Sequence, residues 1–529
     1  MLDEHRGQTV AARYEGRGAT HRPVVLPGTR TDDRSTRGHI VKPSSTPRSV
    51  DGEPTLFPTG VHDIRGRAEL FLKDQDLQGA VREATTLKDQ ARRDALGEAF
   101  GNDVDKLRSI ASEIKRHTID HLDHYLDQWI SNAQAAGTQV HLAIDAEEAN
   151  RIVIEIAREK NAKLCVKSKS MVTEETQLVP QLEAAGIETV ETDLGEFILQ
   201  IDDDAPSHIV MPMIHKDRKS VARAFERELG ARYTEEPEEL TRIAREHLRE
   251  KYRKAELGIS GGNFLVSESG SVVICTNEGN GRFCTSAPET HIAVVGIEKV
   301  VPGFDDLSLL LHLLARSATG QPLTCYTQIL TGPRQDRELD GPTEMHVVLV
   351  DAGRTRILAD PEFRESLSCI RCGACLNACP VYRKATGHAY GSVYSGPIGA
   401  VITPLLQGLD KNPTLPEASS LCGACHEACP VAIDLPRMLV ALRGRTRKRR
   451  GTLGERFGLT LLRWSFSSVF MYRISTGLQA FFMRCISGES DRLRSAPGPF
   501  SGWTQERDLV IPDRRSFRQR WRERGGSTR

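Results

Sequence analysis

Seven cysteines constrain this chain more than any other feature: Cys369, Cys372, Cys375 and Cys379-Pro380, answered about fifty residues later by Cys422, Cys425 and Cys429-Pro430. The first run reads C-x2-C-x2-C-x3-C-P, the spacing with which bacterial ferredoxin-type proteins hold iron–sulfur clusters. In that pattern the fourth cysteine of each run ligates the cluster of the other run. Spacings of two let one tight turn present three thiolates to a single cubane, and the proline keeps the chain from folding back. The crossing rule assigns Cys369, Cys372, Cys375 and Cys429 to one 4Fe–4S cluster, and leaves Cys379, Cys422 and Cys425 for a second. The second run is one ligand short, because Ser419 stands where a complete copy has cysteine. Three readings stay open: a second cubane whose fourth ligand is Ser419, a water or a partner group; a 3Fe–4S cluster; or no second cluster. The first two put Cys379, Cys422 and Cys425 to use. Structural zinc also takes four-cysteine sites built from C-x2-C pairs, but seven cysteines in two runs that each end in Cys-Pro suit iron–sulfur.

A chain of 529 residues has room for two or three domains. Its 71 Lys and Arg balance 71 Asp and Glu, so charge gives no sign of nucleic-acid binding. The other five of the twelve cysteines, Cys165, Cys275, Cys284, Cys325 and Cys485, have no pairing rhythm. That is not a disulfide framework, and thiolate ligands need a reducing compartment. No uncharged apolar run is long enough to span a bilayer, and the first thirty residues carry no apolar core of a secretory signal. The expected compartment is the cytoplasm.

Residues 1–62 mix Arg, Asp, Thr, Pro and Gly, and read as a disordered extension that buries too little apolar surface to offset its ordering entropy. Between 103 and 136 apolar residues recur at three- and four-residue steps, which predicts one long helix capped by Asp103 and stopped by Gly137. His117, His121 and His124 share a face of it and are expected to be solvated rather than metal-bound. Strands at 140–144, 163–167, 187–192 and 208–213 alternate with helices after Asp145 and over 173–185. That order predicts an α/β fold with a largely parallel sheet. β-branched segments from 257 to 350 are expected to extend the sheet.

Three polar, glycine-rich stretches interrupt this domain: Lys167-Ser168-Lys169-Ser170, Gly258 to Asn263 with Glu268-Ser269-Gly270, and Thr276 to Arg282. The first leaves a strand and opens a helix, where free N–H groups and lysines favour an anion. The others lie at strand ends, where open α/β sheets collect ligands. Ordinary turn chemistry explains all three equally well. None matches a Walker A loop or a dinucleotide fingerprint, so no nucleotide is predicted.

Several strings together resemble the lactate utilization protein B family: Lys167-Ser-Lys-Ser-Met, Thr276-Asn-Glu-Gly-Asn-Gly-Arg, Gly296-Ile-Glu-Lys-Val, Cys369 to Pro380, Gly387 to Ala400 and Ser419 to Pro430. The likeness runs from about 65 to beyond 485. It implies an iron–sulfur electron-transport subunit of a three-protein system oxidising L-lactate to pyruvate, with two 4Fe–4S clusters. Its partners are then a cysteine-rich subunit and a second subunit of the lactate-utilization (LUD) domain type. The resemblance further implies that the α/β domain is a LUD domain, similar in fold to ribose-5-phosphate isomerases and CoA-transferases, and that serine at 419 is a family trait. The resulting division is an extension over 1–62, the LUD domain over 63–352, a mostly helical two-cluster ferredoxin-type domain over 353–445, and a basic region over 446–529.

From 441 onward twenty Lys or Arg face seven Asp or Glu. An apolar segment, Leu461 to Met483, follows the basic cluster and is broken by Arg463 and Arg473. It is too interrupted to span, and is expected to form an amphipathic helix that caps the domain or docks a partner, with peripheral membrane contact as the minority alternative. Two functional classes follow. The leading one is an electron-transfer subunit without substrate chemistry of its own. The other is an oxidoreductase that binds lactate or another small anion in the α/β domain through Lys167, Lys169, Asn277, Glu278 and Arg282.

Overall fold

The computed structural model describes residues 61–450 and most of 453–525. The expected disordered extension therefore lies outside the described residues, except at its end. There His62 is buried, with its N–H donated to the Lys411 carbonyl at 2.7 Å. The chain divides into two compact units at Arg445/Thr446.

The first unit is built on a six-stranded, wholly parallel sheet. Its strands are β1 (Gln139–Ala143), β2 (Leu164–Lys167), β3 (Glu188–Glu191), β4 (Leu257–Ser260), β7 (Thr290–Gly296) and β10 (Glu344–Val350), in the order β1-β10-β7-β4-β2-β3. Central strands β2, β4 and β7 are buried along their whole length, as continuous apolar runs in a sheet covered on both faces must be. Alternate residues serve opposite faces. Ile292 and Val294 pack with Val153 and Leu182 under the helices Ala146–Glu159 and Leu178–Ala184, while Ala293 and Val295 pack with Tyr125 and Trp129. Asp145 caps its helix by accepting the Glu148 N–H.

The later β-branched segments do not all join this sheet. β5 (Phe264–Val266), β6 (Ser271–Thr276), β8 (Val300–Val301) and β9 (Tyr326–Leu330) form a separate four-stranded sheet, β8-β5-β6-β9. Residues 208–213 form turns, not a strand. The long helix expected over 103–136 breaks at His121 into Val104–Asp120 and Leu122–Ala135, and Asp103 makes no side-chain cap. His117 and His121 stack at the break, with His117 Nε2 3.0 Å from the Tyr125 hydroxyl.

The cysteine-bearing region is a succession of short helices: Ala374–Ala378, Tyr382–Ala385, Gly396–Gln407, Ala424–Glu427 and the start of Leu435–Arg450. It shares one apolar core with the helices Gln75–Phe100 and Phe304–Thr319. Gln75–Phe100 therefore packs on the cysteine region, far along the chain from its own sequence neighbours.

In the second unit the apolar segment forms two helices, Leu453–Phe466 and Val469–Ser487, with Ser468 capping the latter through the Met471 N–H. A two-stranded ribbon, β11 (Arg492–Leu493) with β12 (Leu509–Val510), and the helix Phe517–Glu523 follow. Among the described residues no helix is long and apolar enough to cross a membrane.

Candidate functional site

The two cysteine runs fold alike. Arg371 and Leu421, each just before a central cysteine, have φ of 60° and 56°, and Gly373 and Gly423 just after it have 75° and 88°. Left-handed residues flanking a cysteine turn successive N–H groups inward, a concavity that suits an anion such as an iron–sulfur cluster. Three amides already point at sulfur: Arg371 N–H at Cys369 (3.4 Å), Tyr382 N–H at Cys379 (3.5 Å) and Ile433 N–H at Cys429 (3.4 Å).

The thiols fall into a set of four and a set of three. Cys369, Cys372, Cys375 and Cys429 line one small apolar cavity together with Ile209, Ile398 and Ile433. Burial first, and then one another's charge, push Cys372 and Cys375 well up and Cys429 to about 11. In the second set burial raises Cys379, and burial with Cys379 and Cys422 raises Cys425 to about 12. Cys422 is exposed, and the Ser420 hydroxyl holds its thiol low. Thiols that burial and mutual repulsion keep protonated become thiolates only when a cation joins them. Donor sets of this chemistry fit a thiolate-bound metal, and the structure brings together the same four and three cysteines that the crossing rule groups. The Ser419 hydroxyl accepts the Leu421 N–H at 3.1 Å, closing its own turn.

Tyr390 lies between the sets. It is wholly buried, feels Cys379, Cys375 and Cys425, and its hydroxyl has no hydrogen-bond partner among the described residues. An O–H stranded among thiols fits a cluster whose sulfides accept it. Tyr382 and Tyr394 instead tie the cysteine region to the α/β domain, donating at 2.6 Å to the Ser207 carbonyl and to Glu175.

Behind the four-cysteine set lies a cavity of about 340 Å³ at the carboxyl ends of the parallel strands. The chain leaves β2 toward β3, then returns to place β4 on the other side of β2. Such a reversal opens a crevice between the loops that follow the two strands. Both loops line the cavity, through Lys169-Ser170 and Gly261-Gly262. They approach so closely that a Cβ on Gly261 would lie 2.7 Å from Ser170 Oγ. Arg371 and Cys372 form part of the wall and face the cysteine cavity as well.

Of the five anion candidates in the sequence, Lys169, Asn277 and Glu278 line this cavity. Burial, reinforced by Asp193, raises Glu278 to about 7. Lys167 does not reach the cavity. It is fully buried, bonded to Glu191 at 2.7 Å and Glu174 at 3.2 Å. Arg282 is exposed on the helix Asn280–Ser286. Lys299 and the buried side chain of Arg371 also line the cavity and were not among the sequence candidates, and buried Asn280 lines it from within the Thr276–Arg282 stretch without having been singled out. The signal was present: Glu298-Lys299 is a charged pair set inside the apolar run Ile292 to Val301.

Residues 126–350 match the LUD domain family, and residues 365–433 match the 4Fe-4S dicluster domain family. Lactate utilization protein B of Geobacillus sp. (strain WCH70) is 46% identical over 460 residues, spanning 86% of this chain and 96% of its own length. The protein of that name from Bacillus licheniformis is 45% identical over 468 residues, 88% of this chain and 97% of its own. That from Geobacillus kaustophilus (strain HTA426) is 48% identical over 426 residues, 79% and 89%.

Proposed function

This chain belongs to the lactate utilization protein B family, and from that we propose that it is the iron–sulfur electron-transfer subunit of an L-lactate-oxidising system. Cys369, Cys372, Cys375 and Cys429 hold one 4Fe–4S cluster on this reading, and Cys379, Cys422 and Cys425 hold a second. The clusters supply one-electron redox chemistry. The chain's own residues set where that chemistry happens. Inward N–H groups and the Tyr390 hydroxyl stabilise the cluster sulfurs, apolar Ile209, Ile398 and Ile433 keep water from the first site, and exposed Cys422 brings the second to the surface.

The observation that carries the reading is this pairing of one thiol set around a closed cavity with a second set that opens to the surface at Cys422, on interleaved loops. Lactate oxidation releases two electrons, and two clusters held by these neighbouring cysteine sets would supply the one-electron chemistry to accept them singly. The partners on this reading are a cysteine-rich subunit and a second LUD-domain subunit, and the setting is cytoplasmic. The domains are the LUD domain over 63–352, the ferredoxin-type domain over 353–445 and the basic region over 446–529. The test is the purified holoprotein alone with L-lactate and an artificial acceptor. A carrier gives no turnover, and sustained turnover overturns the assignment in favour of an oxidoreductase with its own active site.

A further inference from the structure

Three buried cations face Cys369 of the four-cysteine set: Lys115 on the helix Val104–Asp120, Lys299 just after β7, and Arg371 in the cysteine loop itself. The charge of the Cys369 thiolate acts on all three. Lys115, 2% exposed, donates to the Glu298 and Val300 carbonyls at 2.9 and 3.2 Å and holds no carboxylate. Lys299, 7% exposed, makes no hydrogen bond or ion pair through its side chain among the described residues. Arg371 donates to the Cys369 sulfur, lies over the Tyr394 ring at 4.6 Å and reaches Glu298 only at 3.5 Å.

Carboxylates do not balance them. Glu298 acts on all three, but it is bonded at 2.6 Å to a fourth buried cation, Arg354, which also pairs with Glu175. Four buried cations thus share two carboxylates. Burial, and then the neighbouring cations, pull Lys115 down to about 7 and Lys299 to about 8. Buried positive charge in surplus is costly and calls for an anion. A cluster on Cys369, Cys372, Cys375 and Cys429 is that anion: four thiolates around an oxidised 4Fe–4S core make a dianion, and one-electron reduction makes it a trianion. The second set has different surroundings. There Arg383 acts on Cys379, while Glu427 opposes at exposed Cys422.

We propose that Lys115, Lys299 and Arg371 are the counter-charge of the four-cysteine cluster, and that Lys299 raises its midpoint potential by favouring the reduced state. The negative charge added on reduction spreads over the cluster and its thiolates. A fixed cation facing Cys369 is therefore attracted more strongly by the reduced cluster than by the oxidised one, and burial keeps that attraction from being screened. Hydrogen bonds to sulfur, of which Arg371 supplies one, act in the same direction. The inference rests on the proposed function only for the cluster on these four cysteines. It does not depend on a second cluster.

The test is an EPR-monitored redox titration of the anaerobic full-length holoprotein, as wild type, Lys299→Gln and Lys299→Arg. Lys299 has no side-chain hydrogen bond to lose, so Lys299→Gln removes its charge alone. The signal that survives Cys422→Ala belongs to the four-cysteine cluster. Its midpoint potential is expected to move negative in Lys299→Gln and to stay at the wild-type value in Lys299→Arg, while any second signal holds its potential in both. Iron and sulfide contents equal to wild type mark each variant as assembled. Lys115→Gln removes a charge from a different element and is expected to shift the same signal in the same direction; it is the variant to read should Lys299→Gln lose iron. An unshifted potential in fully loaded Lys299→Gln or Lys115→Gln overturns the inference and leaves the relay standing. So do equal shifts in Lys299→Gln and Lys299→Arg, which would make the effect one of packing. Wild-type protein without an iron–sulfur signal overturns the relay itself, and the inference with it.

Discussion

Lys167 carries its charge into a fully buried site among Glu174, Glu191 and Glu196, whose oxygens lie within 4.8 Å of one another. The ammonium occupies the place a cation would take there. One positive charge cannot balance three carboxylates in a low-dielectric pocket, and burial accordingly pushes Glu191 and Glu196 up so that a proton stays within the group. Lys167→Met is expected to lower unfolding free energy by about 3–5 kcal/mol, measured by chemical denaturation, because it strands buried carboxylates. Glu196→Gln, which copies the protonated acid, is expected to cost about 1 kcal/mol or less. The sign of the pH effect follows. Carboxyls raised in the fold contribute fully below their unfolded pKa, and that contribution is lost as pH rises through the folded value. Stability from this group thus declines toward neutral pH, and Glu196→Gln should flatten the decline. Tyr390 makes a different prediction. Tyr390→Phe removes a buried O–H that lies among thiols of both sets, so both sites should still load while the cluster whose sulfur would accept it has a more negative midpoint potential in a redox titration. Unchanged potentials would place the hydroxyl away from cluster sulfur.

At the scale of elements, the cysteine loops depend on backbone that only glycine supplies cheaply. Gly387 passes the Ser207 carbonyl so closely that a Cβ would lie 1.6 Å from the oxygen. Gly387→Ala must therefore shift the cysteine region off the α/β domain, at an expected cost of about 4 kcal/mol or more in the same denaturation assay. Gly423 has open space around it and φ of 88°, so Gly423→Ala should cost only the left-handed strain, about 1–2 kcal/mol. Equal effects would contradict the contact argument. That the two cysteine runs fold alike was legible in the sequence, because both repeat the same C-x2-C-x3-C-P spacing. The parallel strands were legible because a strand covered on both faces carries a continuous apolar run, as Leu164 to Val166 and Ile292 to Gly296 do. The second sheet was not, since Phe264–Val266 and Ser271–Thr276 look the same whichever sheet they pair in. Lys299 and Arg371 escaped notice for a related reason: a charged residue in a sequence reads as surface, and only the fold shows its ammonium or guanidinium walled in.

At the scale of the whole molecule, the second unit leaves Phe457, Trp464, Phe466, Phe470, Phe481 and Phe482 exposed. In Leu453–Phe466 the exposed Phe457, Leu461 and Trp464 lie on one side of the helix, and Leu459, Leu462 and Phe466 on the opposite side. A helix resting on a bilayer needs one apolar face, not two. The pattern suits a protein partner that encloses the helix. In flotation with anionic vesicles, full-length protein and a truncation ending at Arg445 are expected to stay equally in the soluble fraction. Flotation of the full-length protein alone would make the region a membrane anchor. In the first unit a single apolar core joins the cysteine region to Gln75–Phe100, which precedes the parallel sheet in sequence, and to Phe304–Thr319, which falls between β7 and β10. The proposed relay requires two neighbouring clusters on crossed ligands. The direct measurement is anaerobic iron and sulfide analysis with EPR of the reduced protein, on wild type and Cys379→Ala. About eight irons per chain, with spin coupling lost in the variant, is the predicted result. About four irons unaffected by the substitution, or zinc in place of iron, would contradict it.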